Sequence, residues 1–244
     1  MTDTTIIAMW SGPRNISTAL MRSWENREDT AVWDEPLYAF YLSRTGIDHP
    51  GREAVIAAGE SDWRRVVDRC CHAAAGGAPV FFQKHMAHHL LPEIDRGWLE
   101  LVHNCFLIRD PREVVNSYAR VREQPQLSDL GFVEQRQIFD AVRNQAGHTP
   151  LVIDSREVLE NPRSVLSQLC EALGLEFSER MLSWPAGPRP SDGAWAPYWY
   201  ASVEASTGFS PYVARNFQLS KPLQALAEIG MEHYRALYAH RIRP

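Results

Sequence analysis

The run "TTIIAM" at Thr4 to Met9 is β-branched and apolar, and it gives way within a few residues to "WSGPRNISTAL" and then to a helical stretch from Asn15 to Glu25. A buried strand, a tight turn and a helix therefore open the chain. The junction recurs. "LVHNCFLI" runs straight into "RDPREVVNSYARV", where Asp110 can cap a helix and Pro111 can occupy its first turn. "TAVWDEP" offers a short strand, Val55 to Ala75 a helix, "PVFFQ" at Pro79 to Gln83 a third strand, and "TPLVI" the last. The segment "ENPRSVLSQLCEALGL" follows, with Asn161 as cap, Pro162 in the first turn, Val165, Leu166, Leu169, Cys170 and Leu173 on one face, and Gly174 as the stop. Strands alternating with helices predict an α/β fold, a central parallel sheet flanked by helices on both faces, with ligands at the carboxyl ends of the strands.

Residues 184–217 break this rhythm. They are rich in Pro, Gly and aromatics and read as an irregular C-terminal lid-like segment, before a terminal helix from Ser220 to Ala239 that presents Leu223, Leu226, Leu237 and Tyr238. At 244 residues and 45% hydrophobic, the chain suits one domain over 1–244 with one sizeable core. A net charge of -5 argues against a nucleic-acid partner, because phosphate-backbone binding needs a basic face. No apolar stretch of about 20 residues and no basic leader stand out, so the expectation is a cytoplasmic protein with no membrane contact. Cys70, Cys71, Cys105 and Cys170 lack zinc spacing and read as reduced thiols.

Three stretches carry chemistry. In the first, a strand, a turn at Gly12, Pro13, Arg14, Asn15 and Ile16, and a helix N-terminus gather backbone N–H groups where the helix dipole favours an anion, and Arg14, Ser17 and Thr18 add side-chain donors. A plain turn capped by Ser17 or Thr18 is the simpler alternative. The Walker A pattern is absent, since Thr18 comes six residues after Gly12 with no lysine between them. In the second, Ser117 lies two helical turns, roughly 10 Å, beyond Asp110 on the same face, and Arg109 is long enough to converge with it on one anion. Pairing of Arg109 with Asp110 or Glu113 is the alternative. In the third, "FFQKHMAHHLLP", His85 with Lys84 beside it falls just beyond a strand end, where it could take a proton from an acceptor hydroxyl. A solvated loop histidine, or a metal cluster with His88 and His89, competes; no helical His-Glu-x-x-His pattern supports the metal.

In order along the chain, these stretches resemble the sulfotransferases that use 3'-phosphoadenosine 5'-phosphosulfate (PAPS). "PRNIST" is similar to the family's 5'-phosphosulfate loop Pro-Lys-Ser-Gly-Thr-Thr, with Arg14 in place of its lysine. Arg109 and Ser117 keep the family's eight-residue spacing for the 3'-phosphate. "QKHMAHHLLP" resembles Lys-Thr-His-x-Pro followed by Leu-Leu-Pro, which puts His85 on the catalytic histidine, and "SREVLENPRSVLSQLCEALGL" resembles the segment after the last strand. Departures accompany the match: Ile16 replaces a loop glycine, Ser155 stands at an adenine-facing tyrosine, and no Arg-Lys-Gly segment closes the C-terminal part. "GPRPSDGAWAPYWY" points to a divergent branch near bacterial and plant sulfotransferase-like proteins.

The resemblance implies a three-layer P-loop-type fold and sulfuryl transfer from PAPS, without a metal, to a hydroxyl or amine of a small molecule. It makes Gly12, Pro13, Arg14, Asn15, Ile16, Ser17, Thr18, Arg109 and Ser117 the nucleotide site, and His85, Arg14 and Lys84 the catalytic group. Glu35 in "WDEPL" is a second candidate base. Trp195, Trp199 and Tyr200 suit an aromatic or apolar acceptor, or else core packing. A P-loop kinase or NTPase and a non-catalytic nucleotide-binding protein are the rival readings.

Overall fold

The computed structural model describes residues 4–72, 74, 76–122 and 124–244. Five parallel strands, β1 (Thr5–Ser11), β2 (Thr30–Asp34), β3 (Val80–Met86), β4 (His103–Ile108) and β5 (Leu151–Asp154), form one sheet in the order β2-β3-β1-β4-β5. β3 is buried along its whole length and β1 along nearly all of it, which is why both read as apolar runs without polar alternation.

Each face of the sheet has its own core. On one, Ala8, Trp10, Phe106, Ile108 and Val152 meet Ile138, Phe139 and Val142 of the helix Phe132–Ala146 and Leu237 of the helix Lys221–Tyr238. On the other, Ile7, Met9, Phe82, Leu107 and Ile153 pack on Leu20, Met21 and Trp24 of the helix Ser17–Glu25 and on Val165, Leu166, Leu169 and Cys170 of the helix Pro162–Ala172. The three layers are those the alternating pattern predicts.

Several local expectations change. The helix expected over Val55 to Ala75 is two, Arg52–Ala58 and Trp63–Cys70. They part at Gly59, where a Cβ would come within 2.5 Å of the Ala39 side chain; Ala75 lies outside the described residues. Asp110 caps its helix as expected, accepting from the Arg112 N–H at 2.8 Å. Asn161 makes no side-chain cap, because the short helix Ser155–Glu160 runs directly into the next one and brings it in at φ -141°. The third strand continues three residues past Gln83, to Met86, so His85 lies inside a strand.

Residues 184–217 contain two short helices, Ala196–Trp199 and Ala201–Glu204. The base of this excursion is closed by the Trp184 N–H donating to the Thr207 carbonyl at 3.0 Å. Its far part is strapped to the first helix, where the fully buried Arg22 guanidinium meets Asp192 at 2.6 Å. Trp195 and Tyr200 are thereby carried to the carboxyl end of the sheet, against Tyr38 and Tyr41.

Candidate active site

The turn after β1 is built on two non-glycine residues in the left-handed region, Arg14 at φ 60° and Ile16 at φ 55°. For a β-branched residue that is a strained conformation, and turns that alternate left- and right-handed residues aim successive N–H groups into one concavity. Ile16 is the cap of the Ser17–Glu25 helix, makes no side-chain capping bond, and precedes a first turn with no acidic residue to neutralise the dipole. Ser17 and Thr18 are helical, not caps. Asn15 anchors the turn from below by donating to the Leu107 carbonyl at 2.8 Å. Gly12 has a different task from the expected one: a Cβ there would lie 2.5 Å from the Leu130 carbonyl oxygen, and the residue faces that backbone rather than the cavity.

Pro13 to Thr18 line a cavity of about 750 Å³ together with Arg109 and Ser117, so the first two predicted stretches do converge. Arg14 Nε donates to Ser117 Oγ at 3.0 Å, and Arg109 Nη1 donates to the Arg14 carbonyl at 2.7 Å. Arg109 also pairs with Glu113 at 2.8 Å, as the simpler reading held, and Glu113 accepts a further bond from the Tyr212 hydroxyl at 2.6 Å. Burial, then repulsion from Arg109 and Arg120, holds the Arg14 guanidinium below its usual pKa. Cations crowded without enough counter-charge mark a place for an anion. Arg120 and Arg215 line the same cavity, and neither has an ion pair among the described residues. Arg215 was missed in the sequence. It stands in the irregular segment as "VARNF", in the C-terminal part that carries no Arg-Lys-Gly.

A second cluster faces the cavity from β2 and β3. Lys84 Nζ donates to Asp34 Oδ1 at 2.8 Å, to the Tyr200 hydroxyl at 2.9 Å and to Glu35 Oε1. Tyr200 in turn donates to Asp34 Oδ2 at 2.6 Å and accepts from Trp195 Nε1 at 3.0 Å. Burial works against the Lys84 ammonium, but Asp34 and Glu35 outweigh it, and its pKa stands well above the usual value. Glu35, at φ 41°, is pushed up to about 7 by burial, with Lys84 opposing and Asp34 adding to the rise. Its carboxylate therefore titrates at the operating pH of a general base.

His85 is not in this cluster. Strand alternation turns Lys84 and Met86 toward the cavity and His85 to the opposite face, where it is 1% exposed and stacks on Trp10 with ring centroids 4.4 Å apart. Its Nε2 bonds Gln83 Oε1 at 3.1 Å, and burial, then Lys84, lowers its pKa to about 3. It is a neutral core histidine. In the segment Lys-Thr-His the histidine is two residues after the lysine, and that position here is Met86, not His85.

The histidines that do line the cavity are His49, His88 and His89. His89 is held between Tyr38 and Tyr41, with centroid separations of 4.6 and 4.5 Å, and its Nδ1 lies 3.9 Å from Glu35 Oε2. Trp195, Trp199 and Tyr200 line the same cavity as Glu35. Among the described residues no three His, Cys, Asp or Glu side chains gather as a metal-binding group, and no helix is long and apolar enough to cross a membrane.

The family model described as "Sulfotransferase domain" matches residues 5–240. The chain is 37% identical over 242 residues to "Branched-chain-amino-acid aminotransferase-like protein 1" of Arabidopsis thaliana, covering 98% of this chain and 43% of that protein. "Branched-chain-amino-acid aminotransferase-like protein 2" of the same plant is 36% identical over 84% of this chain and 36% of its own length. The chain thus spans less than half the length of these curated relatives. The solved sulfotransferase domain from the Synechococcus PCC 7002 olefin synthase shares the fold at a TM-score of 0.55 and 17% identity, covering 94% of this chain and 96% of that one. The sulfotransferase from Alicyclobacillus acidocaldarius does so at 0.52 and 11%, covering 98% of each.

Proposed function

The chain belongs to the sulfotransferase-domain family, and from that premise we propose that it transfers a sulfuryl group from PAPS to a hydroxyl of a small-molecule acceptor, releasing adenosine 3',5'-bisphosphate. The carrying observation is that one cavity joins an anion-receiving turn to a buried carboxylate–lysine pair. Its volume of about 750 Å³ is that of a pocket for a nucleotide plus a small second substrate.

Sulfuryl transfer, like phosphoryl transfer, depends on placing the reactants and stabilising charge on the leaving phosphate. The turn at 13–18 and Arg14 would receive the 5'-phosphosulfate, and Arg109, Ser117 and Arg215 the 3'-phosphate. Arg109 would exchange part of its pairing with Glu113 for the ligand. Lys84, held cationic by Asp34, faces the transferred group, and Glu35 takes the acceptor proton. The base is assigned to Glu35 because it lines the cavity and His85 does not.

Calorimetry with adenosine 3',5'-bisphosphate and with ATP–Mg²⁺ tests the reading. Binding of the bisphosphate without metal is expected, and Arg109→Ala should weaken it roughly tenfold or more, since charge-assisted hydrogen bonds contribute about 1.5–3 kcal/mol each. Adenosine 5'-phosphosulfate, which lacks the 3'-phosphate, should lose much less. Binding of ATP–Mg²⁺ with no bisphosphate heat would replace this reading with a kinase or NTPase.

A further inference from the structure

We propose that Glu35 and His89 together form the seat of the acceptor hydroxyl, the carboxylate accepting its proton and the imidazole N–H holding its oxygen. This rests on the sulfuryl-transfer reading above and names the chemistry of its acceptor end.

The two oxygens of Glu35 have different neighbours. Oε1 is committed to Lys84, while Oε2 faces His89 Nδ1 at 3.9 Å, too far for a hydrogen bond. His89 Nδ1 is buried and has no partner among the described residues. An unpaired buried polar atom is costly, and one aimed at an unpaired carboxylate oxygen points to a missing third group. An oxygen atom about 2.8 Å from both would close the gap and see them at an angle of about 90°. That is about 20° short of the tetrahedral angle between the O–H bond and a lone pair, a bend that hydrogen bonds tolerate, so a hydroxyl can donate to Oε2 while accepting from Nδ1.

The imidazole suits this use. Stacking between Tyr38 and Tyr41 fixes its plane, the two ring pairs lying 8° and 28° from parallel. Burial, followed by His88, His49, Lys84 and His85, keeps it uncharged, so it carries one N–H, and the nitrogen facing the carboxylate is the one that profits from it. In the reaction the acceptor O–H bond breaks with its proton passing to Glu35 Oε2. The oxygen forms a bond to sulfur, and the sulfur–oxygen bond to the 5'-phosphate breaks with its electron pair leaving on the phosphate. His89 N–H stays on the oxygen throughout and stabilises the charge that develops there. An alkylammonium has no lone pair with which to accept from Nδ1, so the seat selects hydroxyl over ammonium acceptors. Met86, two residues after Lys84 on the same strand face, has no proton to give or take, and Glu35 with His89 supplies that chemistry instead.

Water is the smallest hydroxyl acceptor, and sulfate release from PAPS in buffer therefore reads the seat without knowledge of the natural acceptor. His89→Phe keeps the stacking and removes the N–H; it should lower the rate of sulfate release about 10²–10³-fold, as loss of an oriented donor does. Its affinity for the bisphosphate, measured by calorimetry, should stay within about twofold, which also reports that the variant is folded. His89→Asn places an amide donor near the Nδ1 position and should recover at least about tenfold of the loss. His89→Phe turning over PAPS like the parent, His89→Asn no better than His89→Phe, or a parent that binds bisphosphate yet releases no sulfate above the protein-free rate would each overturn the seat. A parent that does not bind the bisphosphate at all would instead overturn the sulfuryl-transfer reading, and the seat with it.

Discussion

At Glu35, burial outweighs a lysine in direct contact, and the consequence is a carboxyl that titrates at about 7. kcat/KM should accordingly rise with pH through about 7, as the base loses its proton. Glu35→Gln should remove that limb and lower kcat by about 10²–10⁴-fold while leaving bisphosphate affinity within about twofold, measured by sulfuryl transfer and calorimetry. A pH-independent parent, or a Glu35→Gln variant with parental kcat, would count against the assignment. The residues of the turn proposed to receive the anion were legible because their chemistry is local: Pro13 to Thr18 sit between a strand and a helix and meet in space through the chain itself. The carboxylate proposed as base was harder to read. In the sequence Glu35 is only a second candidate, since its raised pKa comes first from burial beneath segments more than a hundred residues away, with the neighbouring Asp34 adding to it. His85 misled because Lys84 and His85 are polar, and a strand pattern read from apolar letters stopped at Gln83. Continued at period two, the same strand puts Lys84 and Met86 on the site face and His85 in the core.

At the scale of elements, the strap between Arg22 and Asp192 is the buried ion pair among the bonds that hold residues 184–207 in place, beside Ser191 on Glu25 and Tyr200 on Asp34. Arg22 is fully buried, so replacing it by Ala leaves a nearly buried carboxylate without its cation. Breaking such a pair costs about 3–5 kcal/mol, whereas replacing both partners with apolar residues of similar volume is often neutral. Arg22→Ala should therefore lower the urea midpoint sharply, and Arg22→Met with Asp192→Leu should restore most of it; equal midpoints for the parent and Arg22→Ala would show the strap to be idle. The five strands were readable from apolar runs and the junction helices from Asp110, Pro111 and Pro162. The helix Phe132–Ala146 was not, because its buried face is thinned by Gln135, whose amide is spent on the Trp10 and Leu107 carbonyls. The aromatic segment was read as irregular and lid-like; its two short helices are held by packing on Tyr38 and Tyr41, a contact that no local pattern announces.

Across the whole molecule, the buried imidazoles set how the fold answers acid. Burial lowers His85 and His88 to about 3 and His89 well below its usual value, so each is neutral when folded and protonated when unfolded below about pH 6.5. A depressed folded pKa means stability present above 6.5 and lost as the pH falls, at about 1.4 kcal/mol per pH unit for each imidazole. Three carboxyls oppose this, Glu134 among them, raised by burial. Glu35 at about 7 and Asp154 at about 6 are raised by burial, and their share of stability is present in acid and lost as the pH rises through those values. His49 and His103, also lowered by burial, act in the same direction, and five imidazoles against three carboxyls leave stability falling on acidification between about pH 6 and 4. His85→Phe separates the terms, because a phenyl ring keeps the stacking on Trp10 and Trp98 but cannot be protonated. Its plot of unfolding free energy against pH, from urea titrations, should be shallower than the parent's by about 1.4 kcal/mol per unit over that window. Its sulfuryl transfer should stay within about threefold of the parent's, since general-base loss costs at least about 10²-fold. An unchanged slope would show His85 already protonated in the fold, and a hundredfold loss of transfer would return the base to the face of the sheet opposite the cavity.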